Sequence, residues 1–347
     1  MMNLVLIVGG LLVLTIIIAL VRVSSLISVA RKERTKIDKS SNKVNGLLML
    51  IFLIVSGVVT IWYSISTFDD YNLPIASEHG LETDRLFWIT MVITGFIFVL
   101  TNILLFYFSF RYQYNEDRRA YFFPDNNKLE IIWTVVPAIV LTLLVIVGIS
   151  TWNDITGKAP KDSEVIEIMG FQFAWVTRYP GKDNKLGNYN YRLIDAENLF
   201  GLDFSDRNAH DDFMPRELHL PKGKPVLLKI RARDVIHSVF APHFRLKMDA
   251  VPGMPTQFWF VPIKTTEEMR VETGNDEFNY EIACTELCGK GHFTMRLLVI
   301  VHELEDYEKW KATQQPWLAK NPDYISKIPE EMRELAMINA GISLDEK

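Results

Sequence analysis

The sequence predicts a two-part fold: a membrane-embedded α-helical N-terminal part of about four transmembrane helices, followed by an all-β sandwich. Three observations predict it. Four long apolar runs are concentrated before residue 152. From residue 164 onward the pattern shifts to short alternating segments broken by Pro, Gly, Asp and Asn. Both cysteines, Cys284 and Cys288, fall in one short loop that also carries His292 and Met295.

The chain has 347 residues, room for two or three units. A mean hydropathy of +0.10 is high for a chain with 23% charged residues. The apolar runs cover residues 3–23, 47–67, 86–110 and 131–151. Each is about 20 residues or more, the length a helix needs to cross ~30 Å of hydrocarbon. Pro137 lies inside the fourth run, where a transmembrane helix tolerates it. The first run is expected to be an uncleaved helix rather than a secretory signal. No cation precedes it and no small-residue cleavage site is obvious after it.

Charge sets the direction of threading. Residues 22–45 carry Arg22, Arg31, Lys32, Arg34, Lys36, Lys39 and Lys43. Residues 68–85 hold one cation, Arg85, against Asp69, Asp70, Glu78, Glu82 and Asp84. Residues 111–128 again carry four Lys/Arg. Positive loops stay inside, so the chain runs outside, in, out, in, out. Everything after residue 151 is then outside the cytoplasm, where thiols meet an oxidising environment.

Short strands are expected at 165–168, 172–175, 225–232, 257–261, 280–283 and 296–301, as in a β-sandwich. Residues 182–215 are polar and rich in Asn and Asp, and read as an irregular surface excursion. After residue 301 the tail turns helical, at 303–311 and 329–338. The layout expected is 1–67, two helices with a basic loop; 68–151, a transmembrane hairpin; 152–302, the β domain; and 303–347, a helical tail. From residue 152 onward there are 25 Lys+Arg against 31 Asp+Glu. That acidic balance argues against a nucleic-acid partner and is compatible with a basic protein partner.

Two thiols, an imidazole and a thioether in one loop form a soft ligand set, suited to copper rather than magnesium, calcium or manganese. A bend across Cys284-x3-Cys288 can aim both sulfurs into one cavity. Two thiolates shared between two metal ions give a compact pair, and each ion then needs another strong ligand. His292 can serve one. His237, in Asp234-Val235-Ile236-His237-Ser238, is the candidate for the other. Met295 and a loop carbonyl are weak-ligand candidates. The competing reading of an isolated C-x3-C is a disulfide.

These residues carry a resemblance. DVIHS at 234–238, FRLKMDAVPG at 244–253 and CTELCGKGHFTM at 284–295 resemble subunit II of cytochrome c oxidase in the haem–copper family. EIIWTVVP at 130–137 resembles the start of that family's second transmembrane helix. The resemblance spans about residues 86–301. It implies a cupredoxin-like Greek-key domain after a helical hairpin. It implies a binuclear copper centre, CuA, held by His237, Cys284, Cys288, His292, Met295 and the carbonyl of Glu286. It further implies a Mg2+ shared with subunit I through the Glu286 side chain, and a proton-path entry at Glu130. Haem then lies only in the partner subunit. The implied role is electron entry from cytochrome c, or from a c-type haem domain of a partner complex, with oxygen reduced in subunit I and protons pumped.

The sequence departs from the family at Phe173, where Trp is usual. Phe173 and Trp175 form the candidate electron-entry patch, and Phe171, Phe173 and Trp175 also read as one face of a strand. His243 reads as a surface or outer-shell residue, and His79, His210, His219 and His302 have no visible partners in the sequence. The helices at 3–23 and 47–67 are extra to the hairpin. No C-x-x-C-H is present, so no covalent c-type haem is expected. A quinol-oxidising relative would lack these copper ligands. From another class, a membrane-anchored copper chaperone or thiol–disulfide protein also fits C-x3-C with a distant His. It would need alternating strands and helices, and it leaves His292 and Met295 unexplained.

Overall fold

The computed structural model describes residues 2–30, 39–115 and 117–343. Four helices carry the apolar runs: α1 (Met2–Ala30), α2 (Lys39–Ser66), α4 (Glu78–Arg111) and α5 (Asn127–Thr156). A single turn, α3 (Phe68–Tyr71), stands between α2 and α4. Each of the four is long and apolar enough to cross a membrane. The basic stretch at residues 31–38 lies outside the described residues.

The chain divides into two compact units, residues 1–68 with 93–126 and residues 69–92 with 127–347. In the first, Phe52 of α2 and Phe106 of α4 meet with ring centroids 5.3 Å apart. Asn42 donates to the Tyr114 carbonyl at 2.8 Å.

The second unit is a two-sheet sandwich. Its strands are β1 (Glu164–Phe171), β2 (Ala174–Arg178), β3 (Leu218–Pro221), β4 (Val226–Ala232), β5 (His237–Ala241), β6 (Leu246–Ala250), β7 (Thr256–Phe260), β8 (Tyr280–Cys284) and β9 (Arg296–His302). One sheet runs β2-β1-β4-β7 and the other β3-β9-β8-β5-β6. Alternation along the strands makes the core: Ile166 and Ile168 of β1 and Leu228 and Ile230 of β4 are fully or almost fully buried between the sheets. All six expected strands form, with boundary shifts. β3, β5 and β6 were not expected. They are four or five residues long and carry Pro, His, Ser and Asp, so sheet pairing rather than local propensity makes them strands.

The helices outrun the hydropathy signal. α4 begins at Glu78, eight residues before the apolar run, because its first turns pack against the sandwich. Arg245 grips Asp84 through two bonds of 2.6 and 2.8 Å and reaches the Leu73 carbonyl at 2.8 Å. At the end of α5, Trp259 donates to the Asp154 carbonyl at 2.7 Å. Gln257 reaches the carbonyls of Thr156 and Gly157 at 3.3 Å. Those side chains satisfy carbonyls that a helix end leaves open.

The segment 182–215 is not a surface excursion. Phe200, Leu202 and Phe204 are buried with Met169 of β1 and with Trp317, Leu318 and Tyr324 of the tail, forming a second core. The tail contributes α7 (Leu304–Ala312), α8 (Trp317–Lys320) and α9 (Glu330–Ala340), α6 (Thr266–Thr273) lying earlier between β7 and β8. Met169 of β1 packs with Trp317 and Leu318 of α8, whereas α6 and α7 lie against β9, and α7 also against β3, of the five-stranded sheet. Apolar residues spaced irregularly among Asn and Asp give no periodic signal, so the sequence conceals this core.

The histidines without visible partners also acquire them. His79 sits edge-on to Trp259 at 4.4 Å. His210 is buried and bonds the Phe204 carbonyl at 3.0 Å. His219 and His302 share a 2.8 Å bond between ring nitrogens, with Trp310 stacked on His219 at 3.9 Å. His243 is half-buried, bonds the Pro74 carbonyl at 3.0 Å and packs edge-on to Phe278 and Tyr280.

Candidate metal centre

The five-stranded sheet brings the predicted ligands together. His237 opens β5, and Cys284 closes β8, where it pairs with Val239. The loop after Cys284 turns through Gly289, whose φ of +132° suits glycine. It returns through a 3-10 turn at His292–Thr294 to Met295. The Cys284 amide donates to the Met295 carbonyl at 3.2 Å and closes the loop. His237, Cys284, Cys288 and Met295 are all buried.

The donor atoms converge. The two Sγ atoms are 3.9 Å apart. His237 Nδ1 lies 3.8 Å from Cys284 Sγ, and His292 Nδ1 lies 3.6 Å from Cys288 Sγ. Met295 Sδ is 3.9 Å from Cys288 Sγ, and the Glu286 carbonyl is 3.2 Å from Cys284 Sγ. Each thiol therefore has its own imidazole and its own weak donor. A sulfur separation of 3.9 Å is far beyond a disulfide bond of about 2.05 Å. It is less than twice a typical metal–thiolate distance of ~2.3 Å, so a single ion reaches both sulfurs. Burial and the neighbouring Cys284 push the Cys288 thiol up to about 11. Metal entry must therefore displace its proton.

A second layer orients these groups. Asp234 accepts from His237 Nε2 at 2.8 Å, from the Gln172 amide at 2.8 Å and from the Val235 amide at 2.7 Å. Fixing Nε2 this way leaves Nδ1 facing the sulfurs. Burial works against the Asp234 charge, but these donors hold its carboxyl below the usual range. The Gln172 side chain donates to the Cys288 carbonyl at 2.5 Å. Gly170 lets Trp175 and His237 approach: a methyl there would sit 2.8 Å from Trp175 and 3.1 Å from His237. Asp234 lies in the recognised DVIHS segment, yet only the fold reveals what it holds. Gln172 gave no signal.

The predicted aromatic patch is corrected. Phe171, Phe173 and Trp175 do not share a strand face, because a turn at residues 172–173 separates β1 from β2. Trp175 is only 6% exposed, with its ring edge-on to His237 at 5.9 Å, so it adds nothing to a surface patch. Phe173 is 38% exposed and lies over the loop glycines Gly289 and Gly291. Two further exposed side chains of the loop, Leu287 and Phe293, went unnoticed in the sequence. Glu286 is exposed, and Glu130 lies exposed in the first turn of α5.

Residues 71–151 match the family described as "Cytochrome C oxidase subunit II, transmembrane domain". Residues 164–302 match "Cytochrome C oxidase subunit II, periplasmic domain". An alternative cytochrome c oxidase subunit 2 of Bradyrhizobium diazoefficiens is 38% identical over 244 residues, covering 70% of this chain and 83% of that relative. A cytochrome c oxidase subunit 2 of Thermostichus vulcanus is 28% identical over 296 residues, 69% of this chain and 77% of the relative. The solved periplasmic domain of a cytochrome oxidase subunit II from Bradyrhizobium japonicum aligns at 26% identity with a TM-score of 0.31. That alignment covers 45% of this chain and 96% of that one.

The two matched domains and the four apolar helices make this a multi-pass membrane protein with its cupredoxin-like domain outside, as the loop charges predict. Its place is in an oxidoreductase complex beside other oxidase subunits. The chain belongs to the cytochrome c oxidase subunit II family.

Proposed function

We propose that His237, Cys284, Cys288, His292, Met295 and the Glu286 carbonyl hold a binuclear copper centre, CuA, through which electrons enter a haem–copper terminal oxidase. The observation that carries this reading is the pairing of two unbonded thiols 3.9 Å apart, each beside its own imidazole. The donor set is sulfur and nitrogen, and it is buried, which suits copper. When bound, the pair supplies one-electron transfer with little rearrangement, because charge spreads over two metals and two sulfurs.

The protein's own residues prepare the site. Asp234 fixes the His237 ring, and Gln172 ties the Cys288 carbonyl to the β1–β2 turn. Met295 and Trp175 exclude water from the buried side. On the outer side the half-exposed Phe173 ring touches the loop glycines. Phe173, rather than Trp175, is the ring through which an electron from cytochrome c, or from a c-type haem domain of a partner complex, reaches the loop. In that reading the electron would pass on to subunit I, whose haem would supply oxygen reduction coupled to proton pumping. The Glu286 carboxylate, exposed in the loop, would share a Mg2+ with subunit I, and Glu130 would open a proton path. The expected organisation remains 1–67, 68–151, 152–302 and 303–347, with the insertion at 182–215.

The chaperone or thiol–disulfide alternative fits less well. Its thioredoxin-like fold alternates strands and helices, whereas the two sheets here run through nine strands with only α6 between them. Copper stoichiometry with electron paramagnetic resonance on the full-length chain separates the readings. Two coppers sharing one unpaired electron are expected, with the paired signal lost in Cys288→Ser. One localised copper, or a Cys284–Cys288 disulfide that excludes copper, would refute the proposal.

A further inference from the structure

We propose that the cavity between the last turn of α5 and the outer face of the four-stranded sheet binds the phosphate group of an anionic membrane phospholipid. The cavity is about 600 Å3, and Trp152, Thr156, Lys229, Arg231 and Tyr189 are among its walls. It lies on the other sheet from the sulfur–imidazole cluster, which β5 and β8 build.

Register explains why charge collects there. Arg178, Glu167 and Lys229 are neighbours across β2, β1 and β4, and Gln257 of β7 follows Lys229. All point away from the core, since their sequence neighbours Thr177, Ile166, Ile168, Leu228 and Ile230 are buried toward it. Most of the charges on this face satisfy one another. Glu167 takes Arg231 Nε at 2.6 Å and Arg178 Nη1 at 3.3 Å. Asp212 takes Arg178 Nε at 3.0 Å.

Arg178 Nε and Nη1 and Glu167 Oε2 are ion-paired without a hydrogen bond; two cationic donors, Arg231 Nη2 and Lys229, have neither among the described residues. Arg231 is only 7% exposed, and its Nη2 is buried with no hydrogen-bond partner. Its guanidinium carbon lies 3.5 Å from the centroid of the Tyr189 ring, and its Nε is tied to Glu167. Lys229 is exposed and has no carboxylate partner among the described residues. A buried guanidinium donor left unmade is costly, and an acceptor entering beside Lys229 would remove that cost.

Position identifies the acceptor. α5 crosses the membrane, and its last turn marks the level at which the chain leaves the hydrocarbon. Trp152 is 52% exposed on that turn, as aromatic residues at a bilayer interface are. The anion abundant at that level is lipid phosphate, and a lysine near the surface attracts it. The negative end of the α5 dipole opposes an anion. Its last carbonyls, however, are taken by Gln257 and Trp259. Trp152 and Met248 supply apolar wall for the glycerol and acyl stem.

The test uses the purified oxidase complex containing the full-length chain, in bilayer discs of phosphatidylcholine with and without phosphatidylglycerol. Phosphatidylglycerol is expected to raise the melting temperature and to survive exchange into detergent. Lys229→Glu should lower its retention roughly tenfold or more, because it reverses a charge at the cavity mouth. Lys229→Arg, which keeps the charge, should retain it. Equal retention in wild type and Lys229→Glu overturns the proposal, as does an equal shift in melting temperature with phosphatidylcholine alone. Soluble glycerophosphate protecting as well as the lipid also overturns it, assigning the site to a free phosphate.

Discussion

Gly291→Ala tests how Phe173 bears on the metal loop. A methyl group at residue 291 would lie 2.5 Å from Phe173 Cγ and 2.6 Å from its Cδ2. Carbon contacts are optimal at ~3.5–4.0 Å, so the ring or the loop must move by about 1 Å. Overpacking of this size costs about 1–3 kcal/mol. Phe173 is 38% exposed, so the ring can swing outward, which puts the expected cost in the lower half of that range. For a unit of this size that is a melting temperature lower by roughly 2–8 °C. Because His292 is the next residue, the copper paramagnetic signal should shift as well. Phe173→Ala removes the obstacle, so the double variant should regain both stability and signal, with a coupling of ~0.5 kcal/mol or more. Thermal unfolding and resonance spectra of the full-length chain measure these quantities. Strict additivity of the two substitutions would refute the packing described here.

Asp234→Ala removes the acceptor that orients His237, and copper affinity should fall about 10–100-fold; an unchanged affinity by competitive chelation would remove Asp234 from the site. Met295→Leu should keep both coppers but shift the reduction potential, since a weak axial ligand tunes rather than holds the metal; an unaltered potential by redox titration would exclude Met295. His219 gives a pH dependence. Burial first, and then His302 beside it, lowers His219 to about 4, below the ~6.5 of an unfolded chain. The unfolded chain therefore binds the proton first, and stability is full above pH ~6.5 and declines as pH falls toward 4. His219→Gln should flatten melting temperature against pH over that window, and a slope equal to wild type would show that the pair does not titrate on unfolding.

Much of this protein is local enough to read from sequence. A span of about 20 apolar residues must be a membrane helix, because hydrocarbon offers the backbone no other partner, and the loop cations orient it. Cys284, Cys288, His292 and Met295 lie within one loop, so their spacing alone suggests a shared metal. His237 is separated from them by 47 residues or more in sequence; only the pairing of β5 with β8 sets it beside Cys284, and the sequence supports it through the family motif. Phe173 and Trp175 looked equivalent two residues apart, but a turn leaves one half-exposed over the loop and buries the other against His237. The segment 182–215 read as polar excursion because Phe200, Leu202 and Phe204 have no period, and their burial depends on the distant Trp317 and Tyr324. The sequence by itself determined the spans, the threading and the donor types, which depend on composition and short spacing. The tertiary structure decided which distant groups meet, because burial and partner choice are set by contacts that close long loops and leave no mark on neighbouring residues.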